Sequence, residues 1–428
     1  IGSSAFSDCF RLHKVILKGV VPPNLSSDSF NFTKVFFVPK GSGEVYSNTA
    51  YWNSLVIIDG DIPLKVEVTL ATAGTLGEEI LKQLEYVNKV NELVIAGPLN
   101  GDDYYQIQNR MPNLMSIDMT NVTMESLPDN FFSRRTALLE IKLPKVLKSI
   151  GYGAFNECYG LTSLVLPEEL TTINNNAFYY CKDLKSINLP ASLVTMGRES
   201  FYECTSLQSI AIPEKVTVIE DYTFYNCASL SEVKLPAGLS EIKGYAFAYC
   251  RALTSIELPD ALTFLRSQAF RECTGLTEIT LPASLQYCDY PFYNCSNIKR
   301  INCYASVPPT LEGNRDILYN VDKSTYELLV PFWSVNNYKL TSGWDAFPVI
   351  NPSEYETDVI NIRGNLTLAE GIRPTLQPCV SVFDNGHFAV KGTDAFSMKR
   401  YTQSHVLAMY ANSSNYDRSQ YTSLISES

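Results

Sequence analysis

Apolar residues recur along the middle of this chain every 23 positions, not at the spacing of about 2 or 3.6 that marks an isolated strand or helix. Leu138, Leu161, Leu184, Leu207, Leu230, Leu253 and Leu276 keep this step, and Pro144, Pro167, Pro190, Pro213, Pro236, Pro259 and Pro282 keep it with them. Phe155, Phe178, Phe201, Phe224, Phe247 and Phe270 run in the same phase, as do Cys158, Cys181, Cys204, Cys227, Cys250 and Cys273. One unit reads LTSLVLPEELTTINNNAFYYCKD, from Leu161 to Asp183. A repeat of this length is one supersecondary unit that cannot bury its apolar face alone, so units stack.

Each part of the unit predicts an element. Leu161, Leu164 and Leu166 mark a short strand with alternate residues turned inward. The proline that follows ends the strand, because it has no N–H to give to a ladder. Leu170 and Ile173 continue the core on the returning side. Ala177-Phe178 predicts a short helical turn, with Cys181 on the same face. Parallel strands about 4.8 Å apart make seven or eight such coils a rod roughly 35–40 Å long.

The unit, with consensus LxxLxLPxxLxxIxxxAFxxCxx, resembles the BspA-like class of leucine-rich repeats known from surface proteins of Bacteroides-type bacteria and some parasites. The resemblance is strong over residues 114–303 and looser beyond. It lacks the asparagine of the commonest leucine-rich repeats, whose place the Ala-Phe and Cys positions take. The fold this implies is an α/β solenoid, a right-handed superhelix of 23-residue coils with short parallel strands. A small C-terminal all-β module is expected to follow it.

The flanks predict caps. Thr75-Leu76-Gly77-Glu78 has the form of a capping box, opening an amphipathic helix with Ile80, Leu81, Leu84 and Val87 on one face. Val90, Leu93 and Ile95 repeat the strand spacing, as do Leu114, Ile117 and Met119, 24 residues on. Residues 75–137 therefore read as a helical N-cap with irregular coils, 138–303 as the regular array and 304–350 as its C-terminal cap. Phe6, Cys9, Leu12, Val15, Leu17 and Val21-Pro22-Pro23 match Phe292, Cys295, Ile298, Ile301, Cys303 and Val307-Pro308-Pro309 at a constant offset of 286. Val38-Pro39, Tyr46, Trp52 and Ile57-Ile58 then match Val330-Pro331, Tyr338, Trp344 and Val349-Ile350. Residues 1–58 thus read as the tail end of a preceding array, with further coils expected ahead of Ile1. Residues 59–74 read as a linker containing a strand-like run, Leu64 to Leu70. Residues 351–428 carry short β-type runs (Val359–Ile362, Cys379–Phe383, His387–Val390) and read as the β-rich module.

Composition narrows the function. A net charge of −11 without a basic cluster argues against nucleic acid, whose phosphates need clustered Lys and Arg. No run of about 20 apolar residues is present, so no transmembrane helix is expected. Of the eleven cysteines, six hold one position in successive coils. Stacked side chains point the same way, which leaves neighbouring Cβ atoms farther apart than the roughly 3.8 Å a disulfide wants. Free buried thiols are expected, and no metal site: there is no CxxC, and His13, His387 and His405 lie far from the ladder in sequence. Neither a catalytic motif nor a cofactor-binding one stands out. Asp102-Asp103 reads as a helix cap.

Two surfaces remain as candidates for binding a partner. The outward strand positions include Glu140, Lys142, Asn188, Glu232, Lys234, Glu257, Glu278 and Arg300. They suit a polar protein surface, and they equally describe a solvated face. Tyr179, Tyr202 and Tyr225 follow the core Phe at the 23-residue step, and Tyr293 follows Phe292. Rings with polar tips suit protein recognition or sugar stacking, or else lateral packing between coils. The resemblance implies a non-catalytic protein of the cell surface or secreted, binding a host protein or glycan. A structural spacer that displays other modules is the alternative.

Overall fold

The computed structural model of the protein describes residues 1–6, 14–27, 29–30, 35–60, 64–84, 86–311, 317–318, 326–331, 334–347, 350–352, 359–363, 389–390 and 395–399. At the N-terminal end, β1 (Lys14–Ile16), β2 (Val35–Val38) and β3 (Val56–Asp59) form a parallel sheet in that order. Helix α1 (Gly43–Ser47) joins the last two strands. Phe36, Val38, Tyr46 and Trp52 fill the core behind it. The Trp52 indole N–H donates to Pro23 O at 2.8 Å, and the Tyr46 hydroxyl donates to Gly19 O at 2.6 Å.

A second parallel sheet opens the main array. It runs β4 (Lys65–Thr69), β5 (Glu92–Gly97), β6 (Ser116–Val122) and then Glu140–Lys142. The apolar run at 64–70 is thus the first rung of this sheet, bonded to β5 along its length, and not a free connector. Helix α2 (Leu76–Leu81) follows β4, and α3 (Gly101–Tyr105) follows β5. The capping box expected at Thr75 does not form: its hydroxyl donates back to Thr72 O at 2.8 Å. Asp103 takes the role from the neighbouring coil. Its carboxylate accepts from Leu76 N at 2.9 Å and Gly74 N at 2.6 Å, and closes a complete capping box with Asn100 over α3. Helix α2 is also shorter than the apolar periodicity suggested. It ends at Leu81, whose side chain is exposed.

The regular coils repeat in register. Ser163–Val165 pairs with Ser186–Asn188, and Thr172–Ile173 pairs with Ser149–Ile150 on one side and Thr195–Met196 on the other. Leu161, Leu164, Leu166, Leu170 and Ile173 are all buried. Phenylalanines stack through the interior face to face; Phe155 and Phe178 have ring centroids 5.0 Å apart and planes 1° from parallel.

The expected helical turn at Ala177-Phe178 is instead a chain of tight turns. Two residues per coil sit in the left-handed region on either side of the phenylalanine: Asn176 and Tyr180, Glu199 and Glu203, Tyr222 and Asn226. A left-handed residue stops an α-helix from propagating. The backbone groups so freed bond to the next coil, as in Phe155 N to Ala177 O at 2.8 Å and Glu157 N to Tyr179 O at 2.8 Å.

The array closes on Glu278–Leu281, Arg300–Cys303, Glu327–Val330 and Ile350–Pro352, with α4 (Val335–Leu340) before the last strand. This end repeats the geometry of the N-terminal sheet. Trp344 donates to Pro309 O at 2.9 Å, Tyr338 donates to Ala305 O at 2.9 Å, and the Tyr338 and Trp344 rings meet edge to face at 5.1 Å like Tyr46 and Trp52. The register differs in one detail. Phe36 pairs with Ile57, whereas its counterpart Leu328 pairs with Ile350. One extra residue after Trp344 therefore makes Ile350 the match of Ile57, and Asn351 that of Ile58. Beyond the array, Val359–Arg363 and Ala389–Val390 both run antiparallel to Ala395–Lys399. The β-type run at Cys379–Phe383 lies outside the described residues.

Candidate functional site

The strand positions predicted to point outward do so. Glu140, Lys142, Asn188, Glu232, Lys234, Glu257, Glu278 and Arg300 are all exposed. Several are tied down by their own neighbours. Lys142 Nζ lies 3.1 Å from Asp118, Arg300 Nε lies 3.0 Å from Glu327, and Glu278 accepts from Asn302 Nδ2 at 2.6 Å. Glu257 sits in a coil whose LxxLxL segment forms no strand.

The outer sheet is interrupted. Glu140–Lys142 ends the sheet that starts at β4, while Ser163–Val165 belongs to a separate two-stranded pair. A groove of about 820 Å³ runs over these two neighbouring coils, lined by Lys142, Lys145, Val165, Glu168 and Glu169 among others. Val165 stands in it 81% exposed, an apolar tip on an otherwise polar face. No spacing in the sequence announces this groove, because the repeat continues through it.

The tyrosines form a ladder at the turn, on the segment that follows the second strand. Tyr179 stacks on Tyr202 with centroids 4.7 Å apart, and Tyr202 stacks on Tyr225 at 4.6 Å and 5°. The row then breaks at Ala248, which is buried, and Tyr249 closes on Tyr225 edge to face at 5.2 Å. Tyr293 does not join the stack. Arg271 fills the next step, with its guanidinium 4.4 Å from the Tyr293 ring and its Nε donating to the Tyr249 hydroxyl at 3.1 Å. A second pair, Tyr222 on Tyr245 at 4.9 Å and 2°, belongs to the same patch. These two were not singled out from the sequence, although they also lie 23 residues apart.

Stacking decides what this row offers. Tyr202 has a ring against each face, so neither face is open to a sugar. What remains outward is ring edge and hydroxyl. Burial, reinforced by neighbouring phenols, pushes the Tyr202 hydroxyl well above its ordinary range, and burial with Glu157 takes Tyr159 up to about 12. Tyr179, Tyr202 and Tyr225, all raised by burial, therefore stay protonated at physiological pH. The strand residues and the tyrosines lie on different segments of each coil, so they make two surfaces, not one.

Inside the ladder the cysteines are free and buried. Each thiol donates to the carbonyl of the phenylalanine one coil upstream: Cys204 to Phe178 at 3.2 Å, Cys227 to Phe201 at 3.2 Å, Cys273 to Phe247 at 3.0 Å. Burial raises their pKa values, to about 12 for Cys158 and Cys250, which keeps them protonated and unreactive.

The family model described as "BspA type Leucine rich repeat region" matches six copies in this chain, over residues 106–229 and 194–310. Among solved structures, the chain is similar to a leucine-rich repeat protein from Bacteroides ovatus, at 20% identity, TM-score 0.36, covering 63% of this chain and 87% of that one. A leucine rich cell surface protein from Faecalibacterium prausnitzii is 17% identical, with TM-score 0.33 and coverage of 80% and 88%. The pneumococcal vaccine antigen PcpA is 14% identical, with TM-score 0.36 and coverage of 80% and 85%. No curated protein matches the chain.

Proposed function

We propose, on the footing of the match of residues 106–310 to the BspA type of leucine-rich repeat, that the chain is a non-catalytic recognition protein, at the cell surface or secreted, that holds an extracellular protein against the solenoid. The observation that carries this reading is the pair of outward surfaces kept apart from the core. One is a polar strand face with a groove at Val165; the other is a ladder of tyrosine edges and hydroxyls. A host glycan is the less favoured ligand for the ladder, since stacking on both sides leaves Tyr202, at its centre, no open face for a pyranose. Among the described residues no helix is long and apolar enough to cross a membrane.

The full chain, immobilised and exposed to extracellular-matrix and mucin extracts, tests the reading. A charge reversal at Glu232 and Lys234, both exposed, should weaken a strand-face contact without disturbing the fold. Retention of a partner that this double variant releases supports recognition through the strand face. Retention of nothing above background favours the spacer. The matching Tyr46–Trp52 and Tyr338–Trp344 caps, which suggest units laid end to end, are what keeps that second reading in play. The division of the chain at 58, 137, 303 and 350 belongs to this proposal too, with the strand at Lys65–Thr69 counted into the array.

A further inference from the structure

The residue just before the outer strand is polar in every coil from Leu161 onward: Thr162, Lys185, Gln208, Ser231, Thr254, Thr277 and Lys299. Two coils depart from this. Met115 and Leu139 hold that position, placed in register by the pairing of Ser116 with Glu140. Apolar side chains at a site that is otherwise solvated call for a cover.

The cover is the first cap. Met115 and Ala137 are buried, with Leu139 packed beside them, against Phe37 and Ile58. Phe37 and Ile58 are cross-strand partners on β2 and β3. They occupy the face opposite the cap's own core of Phe36, Val38, Tyr46 and Trp52. Phe37 is wholly buried. The continuous apolar run Phe36-Phe37-Val38 is thereby explained, because a strand covered on both faces has no polar side to show.

The second cap supplies the contrast. Its positions equivalent to Phe37 and Ile58 are Leu329, which is only half-buried, and Asn351. The same fold with its own core intact thus carries an aromatic and an isoleucine where the array sits against it, and a leucine and an asparagine in the copy.

We infer that the flank formed by Met115, Ala137 and Leu139 is a docking surface whose partner is the cap sheet of the repeat unit before it, so that residues 1–58 and the array are locked side-on as one body. The joint is written on both partners as apolar exceptions to an otherwise polar pattern. It stands whichever ligand the solenoid takes.

Single-molecule energy transfer in the full chain tests it, with dyes on non-natural residues replacing the exposed Lys18 and Lys145. The flank variant Met115→Thr with Leu139→Lys installs the residue types that regular coils carry at this position, so the coils keep their fold. Phe37→Ser breaks the joint from the cap side. Hydrogen exchange of the β2 amides reports whether the cap core survives. The native chain should give one narrow population, and each variant a broad one at shifted efficiency, with β2 still protected. A native distribution as broad as the variants', or variants as narrow as the native chain, overturns the inference.

Discussion

Cys181 donates its thiol hydrogen to the carbonyl oxygen of Phe155, one coil upstream, at 3.0 Å. That oxygen already accepts from the Cys158 amide at 3.1 Å, so the thiol occupies its second lone pair. The contact recurs along the ladder and gives a reason for cysteine at this position beyond its size. A small apolar side chain is needed there, and one weak donor satisfies a buried acceptor that no water reaches.

Replacing Cys181 with alanine should therefore cost about 1–2 kcal/mol, from a small cavity and one lost weak bond. Denaturant unfolding followed by circular dichroism measures it. The thiols of the ladder should also stay unmodified by an aromatic disulfide reagent in the native chain and react only on unfolding. Rapid labelling of the native protein at Cys158–Cys295 would contradict the buried ladder.

Alkaline pH should unfold the array cooperatively. Burial raises Cys158, Cys250 and Cys295 from near 9.0 to about 12, and Cys303 to about 11. A raised folded value means the unfolded chain loses these protons first. The stabilisation is complete below about pH 9 and is lost as pH rises toward 12, at up to about 1.4 kcal/mol per unit per thiol. Melting temperatures should hold level near neutrality and then fall steeply above pH 9. A flat profile to pH 11 would refute this account of the interior.

Ser200 stands where Ala154, Ala177, Ala246 and Ala269 stand in other coils, and its buried hydroxyl has no hydrogen-bond partner. Ser200→Ala should stabilise the chain by about 1 kcal/mol, since a buried unsatisfied hydroxyl carries a desolvation cost that alanine does not. Thermal melting decides it, and a lower melting temperature counts against the assignment.

Asp103 ties two coils together through the amides of Gly74, Leu76 and Asn100. Asp103→Ala leaves three backbone donors near α2 and α3 without their acceptor, at a cost of about 3 kcal/mol. Hydrogen exchange should show the loss concentrated at residues 74–81 and 100–105, with the regular coils unaffected. Uniform loss of protection along the array would point to a different role.

The sequence by itself determined the periodic interior. Leucine, phenylalanine and cysteine recur because every coil buries the same positions against an identical neighbour, so a local pattern is also the tertiary contact list. It likewise paired two distant stretches of like geometry, through Tyr46, Trp52 and their counterparts Tyr338 and Trp344. Only the tertiary structure decided how the turns are made. Asn176 tolerates the left-handed region, but Tyr180 carries no such signal, and the backbone bonds of both go to the next coil. The fate of the tyrosines was likewise open until packing turned their faces on one another. Met115 and Leu139 read as ordinary apolar residues in the sequence. Their meaning depends on which side of the coil they occupy and on what lies against it, and that is a relation between segments far apart in the chain.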